Sequence, residues 1–362
     1  MIPPVKVNIT NKENILKDIQ TVLDSGMLTQ NKFNKEFEEK FSDYTKSKYA
    51  IAVSSGTSAI EIIIRSLRIN SSKIIVPTNT FAATTLAVLH SGNQPVFIDC
   101  DNTLNLDPNL LESLIDNNTK ALILVHIGGF IHPQIDKIID ICKKKNIYLI
   151  EDAAHAHGSI INNKFAGTFG DAGAFSFFPT KVITSGEGGM ITTNNKLIYT
   201  KSLTLRDQGK KSKNENICVD QGYNWRMSEL HAIIGLSQLK EIENFINERR
   251  KIAHKFDKNL NNKITTIKPI KNSRPNYYKY CIFGNWDRDK IKNVLREKYK
   301  ISCPGEIYSQ PLHRQPLFKK YSNQNTYPIS EKLCSNMICL PIYPGLSNNK
   351  VEYIIESINK LV

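Results

Sequence analysis

The chain has 362 residues, 40% apolar and 23% charged, proportions of a globular protein long enough for two domains and too rich in apolar runs to be disordered. No stretch approaches the roughly 18 apolar residues of a membrane span, and the opening MIPPVKVNIT has no apolar leader core. The net charge is +14, yet the longest basic run is Lys143, Lys144 and Lys145. No basic stripe interleaves with aromatics, so neither membrane nor nucleic acid is expected as a partner.

In chain order, Phe37, Phe41 and Tyr44 fall on one face of a helix over 36–44. An apolar strand follows at 49–53, then the turn SSGTS and a helix carrying Ile60, Ile63, Ile64 and Leu67 inward. Further strands are predicted at 73–77, 95–99, 121–125 and 147–152, with a helix at 134–145 among the segments between them. Strand-then-helix repetition argues an α/β fold with a mostly parallel sheet and helices on both faces. Residues 226–257 read as one long helix, or two with a short break, through Leu230, Ile233, Leu236 and Leu239. Beyond it the texture turns polar, then gives a strand at 277–283 and a helix after Asp287. A boundary is therefore expected near residue 250, with a large domain over 1–250 and a smaller α+β domain over 251–362.

Seven cysteines (Cys100, Cys142, Cys218, Cys281, Cys303, Cys334, Cys339) are an odd number without a C-x-x-C. This suggests reduced thiols of a cytoplasmic protein and neither a disulfide framework nor a zinc ribbon. No carboxylate-and-histidine set has metal-site spacing, so no metal is expected.

Three segments carry chemistry. In SSGTSAIEIII (54–64) a glycine after a strand opens a helix, leaving backbone N–H groups free for an anion such as phosphate, or for an ordinary serine cap. In EDAAHAHG (151–158), Glu151 and Asp152 end a buried strand, where an acid serves a ligand or metal, faces a cationic ring nitrogen, or caps a helix. In GAFSFFPTKVITSGEGGMITT (173–193), two strand-like runs flank a loop bearing Lys181 among Phe177, Phe178, Pro179, Val182 and Ile183. Desolvation there disfavours the ammonium form and suits a Schiff-base nucleophile; the alternative is a lysine reaching out to solvent.

Gly56-Thr57-Ser58, the Glu151–Ala156 block, Ser176…Lys181…Gly186-Glu187-Gly188-Gly189 and Gly222-Tyr223-Asn224-Trp225-Arg226-Met227-Ser228-Glu229 occur in one order. Together they resemble the DegT/DnrJ/EryC1/StrS family of pyridoxal-phosphate-dependent nucleotide-sugar aminotransferases, from about residue 20 to the end. The resemblance implies a type I aspartate-aminotransferase-like fold and a homodimer with sites built across its interface. It implies that Lys181 holds pyridoxal phosphate (PLP) and then acts as base, that Asp152 pairs with the ring nitrogen, and that His155 lies near the ring hydroxyl. Phe81 would stack on the ring, Gly56, Thr57, Ser58 and Ser176 would hold the phosphate, and Asn224 would reach the partner subunit's phosphate.

The same resemblance implies a keto sugar on a nucleotide diphosphate as acceptor and glutamate as donor. Arg226, Tyr308 and His313, with the loop at Thr29, are the expected substrate contacts. The family commonly has a Gly-Pro pair after that threonine, whereas here Thr29 is followed by Gln30, Asn31 and Lys32. A cell-surface polysaccharide such as a lipopolysaccharide O-antigen is the expected destination. Three other readings compete. Sugar dehydratases of this kind carry histidine where position 181 is lysine. A non-catalytic binding homologue, or a regulator, would not need the Lys181 and Asp152 pair, and about 30 residues ahead of the first matched helix are too few for a DNA-binding module.

Overall fold

Apolar runs that keep both faces buried build the centre of the molecule. The computed structural model describes residues 1–212, 215–303, 307–322 and 326–362. Tyr49–Val53, Lys73–Pro77, Gln94–Ile98, Thr119–Val125, Tyr148–Asp152, Ala172–Ser176 and Gly189–Thr193 form a seven-stranded sheet. Named by first residue, the order across it is Tyr49, Gly189, Ala172, Tyr148, Thr119, Lys73, Gln94. Gly189–Thr193 runs antiparallel to both neighbours, and the remaining pairs are parallel. The mostly parallel sheet expected from the sequence is thus present, with its strands within two residues of their expected bounds.

Alternation along the strands feeds two separate cores. Ala50, Ala52, Ile75, Leu122 and Leu124 pack on one face with the helices Lys32–Thr45, Ile135–Lys145 and Glu229–Lys240. Ile51, Val53, Ile74, Val76 and Ile123 pack on the other with Gly56–Ser66, Ala82–His90 and Lys196–Arg206. On Lys32–Thr45 the four-residue spacing of Phe33, Phe37 and Phe41 makes one buried stripe. Phe37 and Phe41 each meet a ring of the 175–177 segment at 5.0 Å, Phe177 and Phe175 respectively.

Residues 229–259 are two helices, Glu229–Lys240 and Ile242–Asn259. The second runs through the boundary expected near residue 250. Ile242, Phe245 and Ile246 belong to the first core, while Ile252, Ala253 and Phe256 belong to a C-terminal one. Between them Arg249 is buried, and its Nη1 donates to the carbonyls of Tyr277, Tyr278 and Ile342 at 3.3, 3.5 and 2.9 Å. The C-terminal part is a three-stranded antiparallel sheet, with Tyr280–Phe283 between Thr265–Thr266 and Ile338–Leu340, covered by Arg288–Glu297 and Asn348–Asn359. Ile2 joins this core and pairs with Ile301, so the chain's first residues pack with its last third.

Among the described residues no helix is long and apolar enough to cross a membrane, and no His/Cys/Asp/Glu group has metal-site geometry. All seven cysteines are thiols outside any disulfide; six are buried and Cys218 is exposed.

Candidate active site

Sheets of this kind open a crevice at the carboxyl ends of their parallel strands. Here a cavity of about 360 Å³ lies there, reached by Asp152 at the end of one strand and Ser176 at the end of the next. That is within the size range of small-molecule sites. Of the residues singled out from sequence, Gly56, Thr57, Phe81, Asp152, His155, Ser176, Lys181 and Tyr308 line it.

The Ser55 hydroxyl accepts from Ser58 N at 3.1 Å and the Ser58 hydroxyl accepts from Ser55 N at 3.0 Å, a reciprocal cap on the helix Gly56–Ser66. Ser58 is therefore spent on the cap, below the cavity surface, while Ser55, Gly56 and Thr57 face it. Gly56 is required by close approach: a Cβ there would stand 2.8 Å from the Ser176 Cβ. The result is a helix N-terminus with hydroxyls around it, a site for a phosphate.

Asp152 is 6% exposed at the cavity floor. One carboxylate oxygen accepts from Thr84 Oγ1 at 2.8 Å and the other from Ala154 N at 3.1 Å, so its orientation is fixed from two sides. Its neighbour Glu151, also singled out, points away into the protein. It accepts from His126 and from the amides of Gly167, Phe169 and Gly170 at 2.6 to 2.8 Å, and so pins the 167–170 loop. This acid is structural.

Lys181 sits in a loop closed by Thr184 and Ser185 bonding to the Phe177 carbonyl, with Gly186 at φ +84°, a conformation that favours glycine. The loop's apolar neighbours Val182 and Ile183 are buried in the first core. Lys181 itself is half-buried, its Nζ 5.0 Å from the centre of the Tyr278 ring. His155 stacks on the same ring at 4.4 Å and lies 6.4 Å from Tyr308. Burial, reinforced by Lys181 and Lys279, holds His155 well below the usual imidazole range. Its Nδ1 accepts from Gly128 N at 3.4 Å, which leaves Nε2–H as a donor. Burial and Asp152 push the Tyr308 phenol well up, so it stays protonated. Burial would raise Tyr278 as well, but Lys181, Lys279, the Thr180 hydroxyl and Arg249 together outweigh it and bring that phenol below its ordinary value.

Sequence reasoning missed Tyr278, Lys279 and Thr84, and left Ser55 and Glu187 unassigned, although Glu187 and Ser55 also line the cavity. Tyr278 is 98 positions from Thr180, whose hydroxyl it meets at 3.3 Å, and no local motif announces it.

Besides Ser58, four expected residues lie outside the cavity. Thr29 donates to Met227 O at 3.2 Å on the exposed surface. Arg226 is ion-paired with Asp207. His313 has both ring nitrogens engaged, by Thr78 at 2.7 Å and Glu331 at 2.9 Å, and is a packing residue against Tyr327 within this chain. Asn224 is exposed between Tyr223 and Trp225, which stack at 4.0 Å, and the Tyr223 hydroxyl accepts from Arg65 Nη2 at 2.7 Å. A separate polar cleft of about 420 Å³ holds Arg206 and Glu38, already paired with each other.

Residues 9–359 match the model of the DegT/DnrJ/EryC1/StrS aminotransferase family. The chain is 36% identical over 366 residues to GDP-perosamine synthase of Escherichia coli O157:H7, spanning 99% of this chain and 98% of that one. It is 33% identical to dTDP-3-amino-3,6-dideoxy-alpha-D-galactopyranose transaminase of Aneurinibacillus thermoaerophilus, spanning 98% and 97%. Among solved structures, Helicobacter pylori PseC, an aminotransferase of pseudoaminic acid biosynthesis, superposes with a TM-score of 0.89 at 30% identity over 96% of this chain and 95% of that one. The PLP form of Spr1654 from Streptococcus pneumoniae gives 0.93 at 27% identity over 99% and 98%.

Proposed function

The chain belongs to the DegT/DnrJ/EryC1/StrS aminotransferase family, whose members are PLP-dependent sugar aminotransferases, and from that premise we propose that it moves an amino group from glutamate to a keto carbon of a nucleotide-linked deoxy sugar. The observation that carries this reading is the convergence of Lys181, Asp152 and the Ser55–Gly56–Thr57 helix start on one cavity. A lysine amine, a fixed buried carboxylate and an anion-binding helix end are the donor set that PLP requires, and the exposed Phe81 offers a ring face beside them.

When bound, PLP supplies the electron sink for amino transfer. The chain's own residues do the rest. Lys181 Nζ would hold the cofactor and is the amine placed to carry the proton at the reacting carbon. Asp152 keeps a proton on the ring nitrogen, with Thr84 and Ala154 N holding its two oxygens. His155 Nε2–H donates toward the ring hydroxyl, its tautomer set by Gly128 N. Ser55, Gly56, Thr57 and Ser176 hold the phosphate. Asn224, exposed and outside its own cavity, serves the partner's site in a homodimer. Thr29, Arg226, Tyr308 and His313 remain the sugar-side set, with His313 acting through the 78 and 331 segments that it joins rather than by touching sugar.

Relatives named for GDP-, dTDP- and UDP-linked products at carbon 3 or carbon 4 all align over 90% or more of the chain. The GDP-linked case recurs, in Vibrio cholerae and Caulobacter vibrioides as well, so a GDP-linked keto sugar is the first acceptor to test. The product would enter a cell-surface polysaccharide made from the cytoplasmic side. The experiment is absorbance of the yellow holoenzyme with glutamate, followed by addition of GDP-, UDP- and dTDP-linked keto sugars. Bleaching by glutamate and recovery with one sugar, with an amino sugar in the product, is the expected result. A band that glutamate leaves unchanged refutes the donor; a dehydrated product lacking nitrogen refutes transfer.

A further inference from the structure

An amino donor such as glutamate brings carboxylates into the cavity, and a carboxylate in a partly desolvated site needs a cation. Of the basic residues near the site, Arg226 is paired with Asp207 and Arg249 Nη1 is shared among three backbone carbonyls. Lys181 is the reacting amine. Lys279 remains. It leads into the central strand of the C-terminal sheet, Tyr280–Phe283, anchored by its N–H to Gly128 O at 3.2 Å. It is half-buried, lines the cavity, and places Nζ 5.3 Å from the centre of the Tyr278 ring.

Lys181 Nζ stands 5.0 Å from the centre of that same ring. The two ammonium groups therefore lie no farther apart than these two distances together, which puts Lys279 on the side of the cavity where Lys181 would take the proton from the carbon that bears the donor's carboxylate. Among the described residues no carboxylate is within ion-pair distance of Lys279, in contrast to Arg274 and Arg288 on either side of it in sequence. Its charge is instead delivered into the cavity, where it acts on both His155 and Tyr278.

We propose that Lys279 is the specificity-determining cation that receives a carboxylate of the amino donor. The inference rests on the donor reading above. The diphosphate of the sugar is the other anion that a lysine could hold. Cavity size favours the carboxylate: about 360 Å³ accommodates the cofactor and a compact dicarboxylate, whereas a nucleoside diphosphate must extend beyond it.

The test uses holoenzyme and glutarate, a dicarboxylate with no amine to react. Calorimetry would compare wild type, Lys279→Met, Lys279→Gln and Lys279→Arg, with GDP, UDP and dTDP titrated in parallel. Loss of one charge-assisted hydrogen bond predicts glutarate binding weakened about tenfold or more in the Met and Gln variants. The Arg variant should restore most of it, and nucleotide affinities should stay put. Melting profiles and the visible band serve as controls for folding, and Gln, the smaller perturbation, covers a Met variant that fails to fold. Unchanged glutarate binding overturns the inference, as does weakened nucleotide binding with glutarate unaffected, which would give Lys279 to the diphosphate. A wild type that ignores glutamate and glutarate and takes nitrogen from an amine lacking a carboxylate overturns the donor reading and this inference together. A wild type that takes glutamate, with glutarate affinity insensitive to position 279, overturns this inference alone.

Discussion

Asp152 illustrates how much of a buried acid's behaviour is set by groups that touch it rather than by its type. Thr84 Oγ1 and Ala154 N hold one oxygen each. Asp152→Asn keeps the size and can still accept one of these bonds, so the fold should survive while kcat falls about 100-fold or more. Thr84→Val removes the bond to Asp152, together with one to the Thr80 hydroxyl at 2.9 Å, and should cost about tenfold in kcat. Steady-state rates with matched cofactor occupancy check both, and a Thr84→Val rate equal to wild type would show that Ala154 N suffices. His157 offers a residue-scale prediction about pH. It is wholly buried against Phe175 and Phe177, and burial, with Lys181 next in effect, lowers its pKa from 6.5 to about 3. The unfolded chain binds this proton below pH 6.5 and the folded chain does not, so stability is complete above 6.5 and declines as pH falls toward 3. The decline should approach about 1.4 kcal/mol per pH unit for this one group. His157→Leu should flatten that arm of the curve, measured by urea midpoints across the acid range.

At the scale of elements, the start of the helix Lys32–Thr45 is decided by a residue nearly two hundred positions away. Glu229 is fully buried and its carboxylate accepts from the amides of Asn31, Phe33 and Asn34 and from Asn34 Nδ2, at 2.6 to 3.1 Å. A negative charge on the free N–H groups of a helix start is favourable, and here it also ties the Thr29–Lys32 loop to the GYNWRMSE segment. Glu229→Gln exchanges an acceptor pair for an amide with one donor end facing those N–H groups. It should destabilise the protein by about 2 kcal/mol, read from chemical denaturation, with a loss of cofactor retention smaller than that from any change at Lys181. The GYNWR segment was legible as a motif, but its construction was not. Stacked Tyr223 and Trp225, and Arg65 reaching the Tyr223 hydroxyl from another helix, present Asn224 outward.

For the whole molecule the question is whether one chain completes a site. Asn224 is exposed and absent from the cavity of its own chain. If two chains share sites, mixing inactive Lys181→Ala with impaired Asn224→Ala protein, then unfolding and refolding them together, should restore one working site per hybrid dimer, because Lys181 and Asn224 of that site come from different chains. No recovery in verified hybrids would place Asn224's role within one chain. The helix Ile242–Asn259 bears on the same scale. It contributes to both the large core and the C-terminal core, and Arg249 at its middle holds the carbonyls of Tyr277 and Tyr278. A boundary drawn at residue 250 therefore cuts through the element that carries the Tyr278–Lys279 segment to Lys181.

Local pattern was enough for the buried strands, because runs such as Ile74-Ile75-Val76 can satisfy both of their faces only inside a covered parallel sheet. For Lys181, Asp152 and the Gly56 turn, local pattern left a solvent-reaching lysine and ordinary helix caps open; the fold brings all three to one cavity. The fate of Glu151 and His313 was not legible, since an acid or an imidazole reads the same in sequence whether it faces a cavity or pins a loop. Tyr278 and Lys279 were invisible for a related reason. They lie in an ordinary strand approach, and only the packing of the C-terminal sheet onto the rest of the chain, through Arg249 and the Ile242–Asn259 helix, carries them to Lys181. Sequence by itself determined where the strands, helices and turns lie, through hydrophobic period and turn geometry; the tertiary structure decided which of their side chains meet, because long-range burial and hydrogen bonding leave no local trace in the chain.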